Sequence, residues 1–187
     1  MCSHSIRDKL KMISKEFYRT AIHEAGHACA SWTEGCRLVH TKINESGEGE
    51  TLTTHPVHKI LHTIDWKNGT LKSFLNCLLV GPAAELFSDG KMGREFPPHL
   101  DDDVLTAWQY VKSRGWRAPP DFTCADFFVY WGGPARLFVV SYNREIRLLA
   151  NKLILQKKMS GQEVAIFLES IFKTMPLKAL KHDQHKG

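Results

Sequence analysis

Between Ser14 and Gly35 the apolar residues Phe17, Ala21, Ala25, Ala28 and Trp32 recur at steps of three and four, a spacing that one α-helix satisfies and a strand does not. Ser14 stands where an N-cap belongs, and Gly35 stands where such a helix ends. The same helix carries His23, Glu24 and His27 in the run AIHEAGHACASW. The two imidazoles lie one turn apart on a shared face and can reach one ion at about 2.0–2.1 Å. Glu24, about a sixth of a turn or more to the side, can face a metal-bound water instead of the metal. A metal lowers the pKa of its water and polarises a carbonyl, while a carboxylate takes the proton and later delivers it to a leaving amine, so the trio suits peptide hydrolysis. Between the histidines stand Ala25 and Gly26. A mid-helix glycine costs about 1 kcal/mol relative to alanine, so close approach by another element is expected there. The pattern also arises by chance in a chain with ten histidines, so it needs a partner elsewhere.

The candidate partner is HLDDDVLTAW, where Asp101, Asp102 and Asp103 crowd a helix start. One acid satisfies a cap, and three in a row repel each other unless a cation or open solvent relieves them. The other reading is an acidic first turn in water, which the helix dipole favours.

The remaining pattern predicts a single, mainly α domain of 187 residues with a small β-hairpin. Two Val/Ile/Thr-rich runs around a Gly/Glu turn, from Arg37 to His55, read as the hairpin. A helix apolar on nearly all sides is expected from Thr70 to Phe87, with a kink or break at Gly81 because Pro82 follows. Another is expected from Leu100 to Gly115, APPDFTCADFFVYWGGP reads as loop with a short apolar segment, and Pro134 can open a long helix through Lys157. Ser160 to Glu163, SGQE, form a capping box for a last helix ending near Lys173, and residues 174–187 read as a polar tail.

Composition narrows the function classes. The net charge of +5 is scattered among acids, with no basic block or motif for nucleic acid. Five cysteines, odd in number and without CxxC, read as buried free thiols in a reducing compartment. No apolar run reaches the length of a membrane span, the polar start MCSHSIRDKLKMISKE lacks the core of a secretory signal, and no GxxxxGK[ST] loop offers a nucleotide site. A cytoplasmic protein with no membrane segment and no nucleotide is expected.

Taken in order, AIHEAGHA, VHTKINESGEGETLTT, LLVGPAAELFSDG, DDDVLTAWQYV and ANKLILQKKMSGQEVAIFLE resemble the peptidase domain of the FtsH family of zinc metalloproteases, over roughly residues 14–172. The resemblance implies a helical zinc-metallopeptidase domain in which His23 and His27 bind Zn²⁺ and Glu24 is the general base. An aspartate opening a later helix is the third ligand; the family's spacing to the following alanine falls on Asp103 and Ala107, with Asp102 the alternative. Glu85, in the GPAAE block, would orient a ligating imidazole, the support such histidines need, unless it is an ordinary glutamate on an exposed helix face. Thr51, Leu52, Thr53 and Thr54 match the strand beside the family's active site, where a substrate polypeptide can add as a further strand and be held by its backbone. The chain departs from the family at Pro82, in SDGKMGREFPPHLDDD, and in lacking a transmembrane segment and an AAA+ ATPase module. The implied activity is ATP-independent endopeptidase cleavage of unfolded or flexible polypeptides. The rival is a catalytically silent or latent peptidase fold acting as a binding or regulatory module, against which the intact Glu24 counts.

His55, His58 and His62 have metal-capable spacing but no acid between them, and read as structural or surface residues, as does His40. His99 is close enough to the aspartates to reach the site's rim. Trp108, Tyr110, Trp116, Phe127, Phe128 and Trp131 read as core or cleft wall rather than a platform for bases.

Overall fold

The computed structural model describes residues 14–44, 46–54, 70–91 and 101–172. In chain order these form α1 (Lys15–Thr33), β1 (Arg37–Ile43), β2 (Gly49–Thr54), α2 (Thr70–Ser88), α3 (Asp101–Ser113), α4 (Cys124–Trp131), α5 (Gly133–Gln156), β3 (Lys158–Ser160) and α6 (Gly161–Ile171). The protein is mainly helical with one small antiparallel sheet. The expectations for His55, His58, His62, His99 and the tail from 174 lie outside the described residues. Among the described residues no helix is long and apolar enough to cross a membrane.

α1 begins as its sequence predicts, with Ser14 Oγ accepting from the Phe17 N–H at 3.1 Å, and the chain turns out of it through Gly35 at φ +77°. Its buried stripe includes Phe17, Ala21, Ala25, Ala28 and Trp32. The stripe faces away from α2, Phe17 under Lys157 and Trp32 against Phe172, while Arg19, His23, Gly26 and His27 on the other side of α1 meet α2, whose Leu71, Leu75, Leu79, Val80, Ala83 and Ala84 are all buried. The helices approach closely at Gly26, where a Cβ would stand 3.0 Å from the Val80 carbonyl oxygen and 3.1 Å from the Ala84 Cβ. This contact accounts for the mid-helix glycine. α2 runs from Thr70 to Ser88 with Pro82 inside it, so of the kink or break expected at Gly81 the break does not occur. α2 is packed against both α1 and α5, and burial on two sides offsets the roughly 3 kcal/mol that an interior proline costs.

β1 pairs antiparallel with β2, from Arg37 opposite Thr54 to Ile43 opposite Gly49, with a register shift between Leu38 and His40. The expected hairpin is therefore present. On the other side of β1 lies β3, which the sequence reading did not anticipate, pairing His40 with Ser160 and Lys42 with Lys158. The long helix α5 accordingly stops at Gln156, and Lys157 turns the chain at φ +65°. α5 also departs from helical geometry at Tyr142 (φ −120°, ψ 20°), an unexpected kink.

The segment read as loop before Gly132 contains α4. Thr123 and Asp126 form a reciprocal capping box at its start, and Phe127 and Phe128 bury its inner face. Around it Trp108, Trp116, Phe122, Phe127 and Trp131 pack with ring centroids 5.3 to 6.2 Å apart, so these aromatics do serve as core and wall. α6 begins on the expected Ser160/Glu163 box. Fully buried Leu149, Leu153, Val164 and Leu168 join α5 and α6 to the α1–α2 pair, each contributing about 1.5–3 kcal/mol by leaving water. Cys29, Cys36 and Cys77 are buried thiols, and Cys124 is half-buried.

Candidate metal centre

α1 and α2 run antiparallel, so Lys15, Arg19, His23 and His27 face Asp89, Glu85 and Cys77 in reverse order. α3 enters from the side and delivers Asp103 from its first turn. Asp103 Oδ2 lies 2.9 Å from His23 Nε2 and 3.1 Å from His27 Nε2, and the two Nε2 atoms are 3.0 Å apart. This is the group expected from sequence, with Asp103 the aspartate brought to the histidines. Asp102 is exposed on the wall of the same cleft.

The second nitrogen of each ring fixes what the first can do. His27 Nδ1 is 2.7 Å from the Cys77 carbonyl oxygen, and His23 Nδ1 is 3.3 Å from Glu85 Oε2. Both partners only accept, so each Nδ1 carries its proton and donates. In the neutral rings the Nε2 lone pairs then point at each other and at an anionic oxygen. A cation between them resolves that clash. Two imidazoles and one carboxylate are a donor set suited to zinc, and tetrahedral bonds of 2.0–2.1 Å place donors about 3.3–3.4 Å apart. The observed 2.9–3.1 Å needs an opening of only a few tenths of an ångström.

In the metal-free chain protons serve instead. Burial opposes charge on His23, but hydrogen bonds to Asp103 and Glu85 outweigh it and raise the imidazole to about 10. His27 is also raised: burial and the neighbouring His23 charge oppose this, and Asp103 prevails. Asp103, which burial alone would raise, is held well below the carboxylate range by the two imidazoles. All three shifts describe a pocket that demands positive charge at its centre.

Glu24 stands beside this group, 6% exposed, and among the described residues its Oε2 has no hydrogen-bond partner. The start of β2 presses on it: a Cβ at Gly49 would come within 2.6 Å of Glu24 Oε1 and 2.8 Å of Cδ. Thr51 Oγ1 then donates to the Glu24 backbone carbonyl at 3.1 Å, aligning β2 with α1. A cleft of about 800 Å³ contains His23, Glu24, His27 and Asp103, and Thr51 and Thr53 line it. Leu52 and Thr54 point away and are exposed, as the strand period requires. Among the described residues the sheet order is β2–β1–β3, with β2 at its edge.

Glu85 is 5% exposed, so it is not an ordinary surface glutamate, and its Oε2 lies 3.3 Å from His23 Nδ1. His40 stays on the hairpin, 3.3 Å from Glu50, outside the metal group. Sequence reasoning missed Arg19, whose Nη2 is 2.5 Å from Glu85 Oε1, although its place four residues before His23 could have signalled it. It also missed Gly81, where a Cβ would collide with the His27 ring, 2.7 Å from both Cδ2 and Cε1. No protein-family model matches the chain, and no curated protein matches it at a significant level.

Proposed function

We propose that this chain is a zinc-dependent, ATP-independent endopeptidase of FtsH-like type that hydrolyses peptide bonds in unfolded or flexible polypeptides. The observation that carries the reading is the convergence of His23 Nε2, His27 Nε2 and Asp103 Oδ2 beside a buried glutamate whose Oε2 has no hydrogen-bond partner among the described residues. A zinc ion held by these three residues would supply Lewis acidity, activating a water and polarising the scissile carbonyl.

The chain's own residues supply the rest. Glu24 accepts the proton of the attacking water and returns it to the leaving amine. The Cys77 carbonyl and Glu85 hold the imidazoles so that Nε2 faces the centre. The edge of β2 offers backbone groups to an extended polypeptide, and Thr51 and Thr53 face the cleft where it would lie. Backbone pairing reads little of the side chains and accepts only extended chain, so unfolded or flexible segments are the substrate class.

A latent or silent peptidase fold, serving as a binding or regulatory module, is the second reading, favoured by the cover that Gly49 places over Glu24. One experiment separates the two. Zinc content and casein cleavage without ATP are measured for the wild type and Glu24→Gln. The endopeptidase reading expects both to hold one zinc, with cleavage at least about 100-fold slower in the variant. Zinc in both and cleavage in neither selects the second reading, and absence of zinc removes both.

A further inference from the structure

A ladder of charges climbs α1 and α2 behind the metal centre, and the proposed chemistry leaves its upper part without a role. Lys15 Nζ lies 3.4 Å from Asp89 Oδ1, Arg19 Nε 3.2 Å from Asp89 Oδ2, and Arg19 Nη2 2.5 Å from Glu85 Oε1. Glu85 Oε2 is 3.3 Å from His23 Nδ1. The Glu85 and Asp89 side chains are only 6% and 8% exposed, whereas Lys15 is 77% exposed.

The two oxygens of Glu85 are thus divided between two tasks. One is fixed by a guanidinium, and the other orients an imidazole. A glutamate side chain has three rotatable bonds, so its contact with His23 is only as well placed as whatever holds the far oxygen. Arg19 suits that task because one rigid guanidinium stands against both carboxylates, Nη2 on Glu85 and Nε within ion-pair distance of Asp89, an arrangement that a lysine's single ammonium reproduces only in part. Asp89, four residues beyond Glu85 and just past the end of α2, braces the guanidinium in turn. His27 needs no such chain, because its Nδ1 meets a backbone carbonyl fixed within α2.

We infer that Arg19 is a positioning residue for the metal centre, acting through Glu85 on His23, with Asp89 as its brace. This rests on the metal-centre reading above but not on peptide hydrolysis. The consequence is a graded control of metal affinity. Loss of Arg19 leaves every ligand in the chain but removes the guanidinium from the far oxygen of Glu85, and His23 is then held less well at the geometry the ion requires.

The test is zinc affinity, by competition with a chelator of known strength, for the wild type, Arg19→Ala, Arg19→Lys, Glu85→Gln and the Arg19→Ala/Glu85→Gln double variant. Unfolding of each metal-free chain and the Co²⁺ absorption spectrum are recorded alongside. Arg19→Ala is expected to weaken zinc binding by about 10- to 100-fold, the range for removing such support, and to alter the Co²⁺ spectrum. Arg19→Lys should recover part of the loss, and the double variant should bind no worse than the weaker single one, since both act on one contact. Should Arg19→Ala not fold, Arg19→Gln, which keeps most of the stem and removes the charge, carries the same expectation.

Wild-type zinc affinity and spectrum in a folded Arg19 variant, with only its melting temperature lowered, would make Arg19 a strut between helices and overturn the inference. Additive losses in the double variant would do the same. A wild type that binds no zinc removes the metal centre and this inference with it. A wild type that binds zinc but cleaves nothing removes only the hydrolysis.

Discussion

Gly81→Ala offers a direct test of how the centre is built, because one methyl group separates metal binding from folding. The new Cβ would lie 2.7 Å from His27 Cδ2 and Cε1 and closer still to Nε2. Non-bonded carbons settle near 3.5 Å, so the ring must withdraw by roughly 0.8 Å or more. A metal site tolerates about 0.2 Å, so Nε2 is lost as a ligand. Removing outer support from a ligating histidine costs about 10- to 100-fold in affinity, and losing the ligand itself should cost at least about 100-fold. Stability should hardly change. Alanine in place of a mid-helix glycine gains about 1 kcal/mol, and the displaced ring gives up its bond to the Cys77 carbonyl, worth a similar amount. At about 2–4 °C per kcal/mol, the metal-free melting temperature should stay within about 4 °C of the wild type. Chelator competition reads the first quantity and thermal unfolding of the metal-free chain reads the second. Wild-type zinc affinity in folded Gly81→Ala would falsify the placement of His27. A large fall in melting temperature would show that α1 and α2 separate rather than that the ring moves.

Two further outcomes follow from the same geometry. Gly49→Ala pushes a methyl into Glu24 and leaves the three ligands untouched, so cleavage should fall by about 100-fold or more while zinc affinity stays as in the wild type; equal losses of both would place Glu24 among the ligands instead. Because the metal-free His23 is raised from 6.5 to about 10, its charged form contributes stability that is complete below 6.5 and lost as pH climbs through about 10, and zinc must displace that proton. Mixing zinc with the metal-free protein at pH 7 in weak buffer should therefore release at least one proton per ion and fewer in Asp103→Asn, and no release in the wild type would contradict the protonated centre.

What the sequence could reveal depended on how local each cause is. α1 was legible because its cap, its period and its two histidines lie within one short stretch, and the cost of Gly26 already pointed to a close neighbour. Asp103 could be preferred over Asp102 only through the resemblance, since the residues alone left the aspartates equivalent, and what separates them physically is helix phase. One residue's rotation sends Asp102 to the exposed wall and Asp103 to the imidazoles. β3 escaped notice because three residues carry no period, and it is a strand only because β1 presents an edge to it. α4 escaped because an aromatic-rich run between Pro120 and Gly132 reads as loop until Thr123 and Asp126 are recognised as a box closed by aspartate instead of the more familiar Glu or Gln. The kink at Tyr142 left no mark in the apolar spacing. Gly49 and Gly81 were visible as glycines, but what each must avoid belongs to another element.

The two histidines, equivalent in the motif, are unequal in the fold. His27 is locked by a backbone carbonyl on one side and faces Gly81 across a gap too small for a methyl. A methyl at Gly81 would drive the ring from its place, while the contact at Gly26 keeps α1 and α2 together. His23 is held by a side chain that is itself held by another, so its position can drift without disturbing the helix crossing. On the proposed reading, metal affinity would be tuned through Arg19, Glu85 and Asp89 while the fold stays intact, whereas a change around His27 would act as a switch between a complete centre and a broken one. Glu24 belongs to neither limb. It is covered by β2, so the proposed base and the proposed metal would depend on different neighbours, and single substitutions would remove one function and spare the other.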